Sequence, residues 1–121
     1  MIITLVKSHE FEDDVKRYSR KYRHIEDDLN RFYQDFQSNP KQEAVAIPGY
    51  ERKIWKVRVQ SSDLQRGKSG GFRLIFYFDE LKPETVHLLT IYPKTEREDL
   101  SRDELLRFFK SYVKSIIKLG K

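Results

Sequence analysis

The stretch RKIWKVRV, residues 52–59, decides the fold. Apolar and basic residues alternate along it, and this period of two predicts a β-strand. The alternation places Trp55, Val57 and Val59 on one face and leaves the other face to Arg52, Ile54, Lys56 and Arg58. Because burying unpaired cations is very costly, we expect the Trp55 face to pack on helices and the cationic face to stay open or to bind an anion.

Two amphipathic helices are predicted before this strand. Apolar residues recur at helical spacing over residues 11–22 and again over residues 25–36. Ser8 is the expected N-cap of the first helix, and Asn39-Pro40 is expected to end the second because proline disfavours a helical conformation in the residue before it. The two helices should form a hairpin, preceded by a short strand over residues 2–6.

Further strands and a last helix are predicted after residue 59. The runs Phe72–Phe78 and Val86–Tyr92 have strand character, and with no helix between them they are expected to pair antiparallel. Ser101 and Glu104 have the spacing of a capping box, which opens a C-terminal helix reaching Ile117. The order β-α-α-β-β-β-α predicts an α+β fold, with a small, mostly antiparallel sheet packed on an N-terminal helical hairpin and a C-terminal helix.

The composition of the chain limits its class. Its 121 residues, 38% apolar and 13% aromatic, suffice for one packed core, and we expect a single domain over residues 1–121. No apolar run approaches the roughly 20 residues of a membrane-spanning helix, and the N-terminus has no signal-peptide pattern, so a cytoplasmic protein without membrane contact is expected. The absence of cysteine excludes disulfides, thiol nucleophiles and zinc–thiolate sites.

Positive charge is concentrated in two segments of the chain. The net charge is +5, and the excess lies in residues 51–73 and 101–121. In the run Phe72–Phe78 the alternation puts phenylalanines on one face, so Arg73 is expected to join Lys56 and Arg58 on the other. Such a surface suits a polyanionic partner, although a solvated strand face with scattered cations is the simpler alternative.

The glycine-rich segment GKSGG at residues 67–71 is a second candidate site. Its backbone N–H groups and the Lys68 ammonium are able to bind a phosphate, but the spacing is not that of a nucleotide-binding P-loop, and a hairpin turn is the alternative interpretation. The three histidines are dispersed, and no serine lies in a nucleophile-elbow pattern. We therefore predict no metal site and no serine nucleophile.

Three segments together resemble a known toxin family. WKVRV at residues 55–59, GKSGGFRLIFY at 67–77 and LLTIYPKTEREDL at 88–100 are similar to the RelE/ParE superfamily of bacterial type II toxins, closest to its RelE and HigB branch. The resemblance spans nearly the whole chain and implies a microbial-RNase type fold that cleaves mRNA in the decoding site of the ribosome. It also implies a cognate antitoxin that blocks this activity. No metal and no small-molecule cofactor are expected.

Individual positions match the pattern of that family. The resemblance implies four catalytic residues: Lys56, Arg58, Arg73 and Lys94. Four further cations are expected to bind RNA: Arg52, Lys53, Lys68 and Arg97. Where the family has an arginine just after the lysine of the last segment, this chain has Thr95, and Ser101 takes the place of the family's C-terminal tyrosine. The resemblance therefore assigns no tyrosine as acid or base.

The same residues suit RNA cleavage on chemical grounds. RNA supplies its own nucleophile in the 2′-hydroxyl, so a metal-independent nuclease needs a base, cations around the crowded phosphate and a proton donor for the leaving 5′-oxygen. Arg58 and Arg73 are the candidates for stabilising the phosphate. A lysine among other cations gives up its proton more readily, so Lys56 or Lys94 is expected to act as acid or base.

Two other functions use the same fold or the same charges. A ParE-like toxin would inhibit DNA gyrase through protein contacts and cleave nothing. A non-catalytic RNA-binding domain would lose affinity, and not cleavage, when its cations are removed. For a toxin of either kind, the expected antitoxin carries a short acidic or amphipathic helix that covers the basic strand or displaces the C-terminal helix.

Overall fold

The computed structural model describes residues 3–41, 43–63, 70–79, 85–97, 99–108 and 110. Its elements, in chain order, are β1 (Thr4–Lys7), α1 (His9–Tyr18), α2 (Ile25–Phe36), β2 (Val45–Ala46), β3 (Ile54–Val59), β4 (Phe72–Asp79), β5 (Thr85–Pro93) and α3 (Arg102–Phe108). The strands form one sheet in the order β1-β5-β4-β3-β2, in which β1 runs parallel to β5 and the other pairs are antiparallel. The predicted α+β class with a mostly antiparallel sheet is confirmed. In this part of the chain, no helix is long and apolar enough to cross a membrane.

Local signals in the sequence set where the helices begin. The hydroxyl of Ser8 accepts a hydrogen bond from the Phe11 N–H (3.0 Å), so Ser8 is the N-cap of α1 as predicted. The predicted capping box is also present, since Ser101 Oγ accepts from the Glu104 N–H (3.2 Å) and Glu104 Oε1 accepts from the Ser101 N–H (3.1 Å). α2 ends at Phe36, before its predicted stop signal. The predicted continuation of α3 beyond residue 110 lies outside the described residues.

A tight turn delays the start of β3. The alternation over residues 52–59 predicts a strand from Arg52, but β3 begins at Ile54. The Lys53 N–H donates to the Tyr50 carbonyl (2.9 Å), and the two central residues, Glu51 and Arg52, have φ angles of 53° and 59°. Two successive residues with positive φ are the mark of a type I′ turn, here in the loop between β2 and β3. β2 itself has two residues, too few to show a period, and is absent from the sequence prediction.

One face of the sheet packs on α1 and α2. The sheet contributes Trp55, Val57, Val59, Phe72, Leu74 and Phe76 to this first core, and the helices contribute Phe11, Ile25, Leu29 and Phe36. The rings of Phe36 and Phe76 meet edge to face, with their centres 5.0 Å apart. Each large apolar side chain buried in this way stabilises the fold by about 1.5–3 kcal/mol. The prediction that the Trp55 face packs on the helical hairpin is confirmed.

The opposite face of the sheet is partly covered by α3. Leu105 and Phe108 of α3 are buried in a second core with the sheet residues Ile54, Ile75, Tyr77, Leu89 and Tyr92. This face also carries Lys56, Arg58 and Arg73, because its residues alternate along β3 and β4 with those of the first core. The expectation of an open face holds for Arg58, which is exposed, whereas Lys56 and Arg73 are partly buried. The cations share the face with α3.

β5 contains a β-bulge. Phe76 of β4 pairs with Leu88, but the preceding residue, Ile75, pairs with Thr90. Leu89 is therefore an extra residue in β5 with no partner in the register of β4. A bulge of this kind shifts the pairing by one residue for the rest of the strand.

This shift exchanges the faces of the last residues of β5. In a regular strand that paired Leu89 with Ile75, Ile91 would lie opposite Arg73. In the structure Tyr92 pairs with Arg73, and Ile91 lies in the first core. Tyr92 is thus on the same face as the cations, whereas a strict period of two counted from Val86 puts it on the helix side.

α1 covers the edge of β5 beyond the end of β1. β1 pairs with β5 as far as Leu88, where the Ser8 N–H donates to the Leu88 carbonyl (3.0 Å). Further along, the buried carboxylate of Asp14 accepts hydrogen bonds from the Thr90 hydroxyl and the Ile91 N–H (3.4 Å). Burial raises the pKa of Asp14, and these hydrogen bonds act in the opposite direction. The C-terminal half of β5 is held in place by α1.

Candidate functional site

Three side chains form a row across the sheet on the face that carries α3. Arg58 of β3 pairs with Arg73 of β4, and Arg73 pairs with Tyr92 of β5. Neighbouring strands lie about 4.8 Å apart, so the row spans roughly 10 Å between the backbones of Arg58 and Tyr92. Lys56 lies two residues along β3 from Arg58, on the same face. The structure therefore brings together Lys56, Arg58 and Arg73, which we call the basic face.

The two arginines of the row are directly opposed. Arg73 is partly buried, and its Nη1 donates to the Phe72 carbonyl (3.3 Å). Burial lowers the pKa of Arg73, and the positive charge of Arg58 lowers it further. Like charges opposite each other destabilise a sheet. An anion bound over both guanidinium groups would relieve that repulsion, so the pair is suited to binding an anion.

A carboxylate already lies at one end of the basic face. Lys56 Nζ donates to Asp99 Oδ1 over 2.6 Å. Asp99 comes from the segment before α3, and its charge also acts on Arg73 and Tyr92. The sequence led us to expect Lys56 among other cations, and the structure adds this acidic partner. An anionic group therefore fits against the basic face.

Tyr92, at one end of the row, lies beside Arg97 beneath α3. Tyr92 is 2% exposed, and the Arg97 guanidinium lies 5.6 Å from the centre of its ring. Burial and the negative charge of Asp99 raise the pKa of Tyr92 to about 12, while Arg97 and Arg73 act to lower it. Within the described residues, the Tyr92 hydroxyl and the Arg97 Nε are both buried without a hydrogen-bond partner. The sequence analysis does not single out Tyr92, because a bulge has no signal in the period of two.

Lys94 lies next to the row, just past the end of β5. Its N–H donates to the Gly71 carbonyl (3.1 Å), which ties this residue to the start of β4. Lys94 follows Tyr92 by two positions, and Gly71 precedes Arg73 by two. The partly buried side chain of Lys94 therefore belongs to the same end of the sheet as the row.

Arg52 does not lie on the basic face, and its predicted place there is wrong. The Arg52 guanidinium lies over the Trp55 ring, 5.0 Å from its centre, and the Trp55 indole N–H donates to the Arg52 carbonyl (2.8 Å). The left-handed turn before β3 breaks the alternation that would keep Arg52 in phase with Lys56. A role of Arg52 in RNA binding stays a prediction, but on the Trp55 side of the sheet.

The other cations predicted to bind RNA are spread out. Lys53 lies in the turn before β3, about 16 Å along the strand from the row, and its ammonium is 3.5 Å from the Glu51 carboxylate. Arg97 forms an ion pair with Glu104 beside the row. Lys68 lies outside the described residues. Of these three, the structure brings Arg97 to the site.

The ion pair of Arg97 and Glu104 should stabilise the start of α3 less at low pH. Hydrogen bonds from the Arg97 guanidinium and the Ser101 N–H hold the pKa of Glu104 at about 2, below its ordinary 4.5. A carboxylate whose pKa falls on folding stabilises the protein fully above pH 4.5, and that contribution is lost as the pH falls toward 2. Because Glu104 is still partly exposed to solvent, the effect should be modest.

Urea unfolding at a series of pH values measures this effect. We expect the free energy of unfolding of the wild type to decrease between about pH 5 and about pH 2.5, and to decrease less in Glu104→Gln. The same pH dependence in both proteins would contradict the prediction.

The fold of this chain is similar to that of solved toxin structures. No family model matches the chain. The E. coli toxin RelE in its free state, solved as a double Arg-to-Ala mutant, matches with a TM-score of 0.57 over 96% of this chain and 99% of that chain, at 17% identity. The chain has the RelE toxin fold. The toxin–antitoxin complex RelBE2 of Mycobacterium tuberculosis also matches, with a TM-score of 0.55 over 75% of this chain and 96% of the matched chain, at 16% identity.

These similarities confirm the RelE fold that the sequence resemblance implies. In this fold the basic face lies on the central strands β3 and β4, with Tyr92 and Arg97 beside it. Placement in the HigB-like branch stays a prediction, as do the catalytic roles of Lys56, Arg58, Arg73 and Lys94.

Proposed function

We propose that this protein is the toxin of a type II toxin–antitoxin system and that it inhibits translation by cleaving mRNA on the ribosome. The observation that carries the proposal is the cross-strand pair of Arg58 and Arg73, flanked by Lys56, on a sheet with the RelE fold. A phosphodiester bound over two opposed guanidinium groups forms charge-assisted hydrogen bonds with both. Action on the ribosome implies a cytoplasmic protein.

The proposed reaction uses the 2′-hydroxyl of the RNA as nucleophile. Its oxygen attacks the neighbouring phosphorus, the bond from phosphorus to the 5′-oxygen breaks, and a 2′,3′-cyclic phosphate and a 5′-hydroxyl end result. Arg58 and Arg73 stabilise the negative charge that develops on the phosphate oxygens. The 2′ proton goes to a base, for which Lys56 or Lys94 is the candidate. Since guanidinium groups supply the positive charge, the proposed reaction is independent of metal.

The ion pair of Lys56 and Asp99 indicates what the proposed antitoxin supplies. A carboxylate in the position of Asp99 neutralises part of the basic face, so an acidic segment of a partner bound there would compete with RNA. The M. tuberculosis structure is a toxin–antitoxin complex, which supports a partner of this kind. We infer a cognate antitoxin whose acidic or amphipathic helix covers the basic face.

Mapping of mRNA ends during translation tests the proposal. The purified protein is added to a reconstituted translation reaction, and the cleavage sites are located by primer extension. We expect cuts in codons occupied by ribosomes and none in the same mRNA without ribosomes. The new 5′ ends should carry a hydroxyl, which a polynucleotide kinase labels directly.

Other results would select the alternatives. Inhibition of DNA gyrase supercoiling without any cut in mRNA would replace the proposal by a ParE-like toxin. Salt-dependent RNA binding without cleavage under any condition would replace it by a non-catalytic RNA-binding domain. New 5′ ends that carry a phosphate would contradict attack by the 2′-hydroxyl.

A further inference from the structure

Two buried polar atoms beside the basic face lack a partner. In the part of the chain that the structure describes, they are the Tyr92 hydroxyl and the Arg97 Nε. Buried polar groups are nearly always hydrogen-bonded in folded proteins, so an unpaired one calls for an explanation. The two residues are neighbours, since the Arg97 guanidinium lies over the Tyr92 ring. A polar ligand that enters this part of the sheet would satisfy both atoms.

The position of Tyr92 points to the phosphodiester as that ligand. Tyr92 pairs with Arg73, and Arg73 pairs with Arg58, so its phenol belongs to the same row that binds the phosphate in the proposed reaction. Guanidinium groups do not release their protons in proteins, whereas a phenol does. Tyr92 is therefore the member of the row with a transferable proton.

We propose that Tyr92 is a catalytic residue that gives its proton to the 5′-oxygen as this oxygen leaves phosphorus, an inference that rests on the proposed function. As the bond from phosphorus to the 5′-oxygen breaks, its electron pair stays on this oxygen, which takes the phenol proton. The products are a 5′-hydroxyl end and a tyrosinate. The proton of the 2′-hydroxyl goes to the base, and water returns a proton to Tyr92. Arg73 and Arg97 stabilise the tyrosinate while it exists.

α3 must move before RNA reaches this hydroxyl. Tyr92 shares the second core with Leu105 and Phe108, and Asp99, at the start of the same segment, holds Lys56. Catalytic hydrogen bonds often form only in the complex with substrate. Displacement of residues 99–108 uncovers Tyr92 and releases Lys56 in one movement.

Replacing Tyr92 by phenylalanine removes the hydroxyl alone. We expect single-turnover cleavage of ribosome-bound mRNA to fall by about 100-fold. The urea concentration at the midpoint of unfolding should be unchanged or higher, because an unpaired buried polar group is removed. Tyr77→Phe is the matched control, a buried tyrosine on the same face but outside the row. Its cleavage rate should stay within about twofold of the wild type.

A substrate with sulfur in place of the leaving 5′-oxygen separates proton donation from positioning. A thiolate leaves without a proton, so Tyr92→Phe should cleave this linkage at about the wild-type rate. Arg73→Ala should stay slow on both linkages, because charge stabilisation on the phosphate oxygens does not depend on the leaving atom.

The outcomes distinguish the role of Tyr92 from the proposed function. If the wild type cleaves and Tyr92→Phe cleaves equally well, the role of Tyr92 is wrong and the proposed function stands. An equal loss on the oxygen and sulfur linkages also contradicts proton donation. If the wild type cleaves neither linkage, the proposed function fails and the role of Tyr92 fails with it.

Discussion

Replacing Arg73 by alanine is expected to slow mRNA cleavage by about 1000-fold. Arg73 lies at the centre of the row, between Arg58 and Tyr92, and its partly buried guanidinium faces the phosphate in the proposed reaction. The loss should appear in the rate of the chemical step, measured in single turnovers on ribosomes, because the arginine acts on charge that develops in the transition state. Arg73→Lys keeps the charge without the planar fork and should lie between alanine and the wild type.

The stability of Arg73→Ala should not fall along with its cleavage activity. Alanine removes one of two opposed guanidinium groups, so the free energy of unfolding should be unchanged or higher than that of the wild type. Arg20→Ala is the matched control, an exposed arginine after α1, and it should leave both cleavage and stability unchanged. Cleavage by Arg73→Ala within about threefold of the wild type would remove Arg73 from the mechanism.

Replacing Gly71 by alanine is expected to lower the free energy of unfolding by about 2–4 kcal/mol. Gly71 has a φ of 90°, and a Cβ atom there would lie 2.6 Å from the Val59 carbonyl oxygen. The backbones of β3 and β4 must separate to admit it, next to the pair of Val59 and Phe72. Since the neighbouring pair is Arg58 and Arg73, cleavage should be lost as well. Urea unfolding and the cleavage assay measure the two effects.

Gly49→Ala is the matched control for this substitution. Gly49 also has a positive φ, 96°, but nothing lies within 4 Å of the position of its Cβ. Its free energy of unfolding should fall only by the cost of the left-handed conformation, about 1–2 kcal/mol. The difference between the two variants isolates the contact with Val59. Equal losses in both would show that this contact does not constrain the sheet.

Elements with local signals could be predicted from the sequence. The N-cap Ser8 and the capping box of Ser101 and Glu104 depend on residues three positions apart, and both are present. The residues on each face of β3 and β4 could be assigned from a period of two, because no bulge interrupts the pairs from Ile54 to Val59. The side of the sheet that carries Lys56, Arg58 and Arg73 could therefore be derived without a structure.

The parts that escaped prediction depend on backbone conformation or on contacts distant in sequence. Glu51 and Arg52 adopt positive φ although neither is glycine, so Arg52 leaves the phase of the strand. The packing of α3 on the cationic face and the ion pair of Lys56 with Asp99 join segments that are far apart in the chain. Local periodicity predicts neither the packing nor the ion pair. It indicates only that α3 has an apolar side.

The bulge at Leu89 makes the chemistry of the site depend on the register of β5 as well as on its residues. In a regular strand that pairs Leu89 as well, Ile91 would lie opposite Arg73, and the phenol of Tyr92 would turn toward α1 and α2. An aliphatic side chain would then replace the phenol beside Arg73, although every amino acid of the chain stays the same. Deleting Leu89 would instead close the bulge and leave Tyr92 opposite Arg73, so this pair is compatible both with the bulged β5 and with a regular β5 one residue shorter.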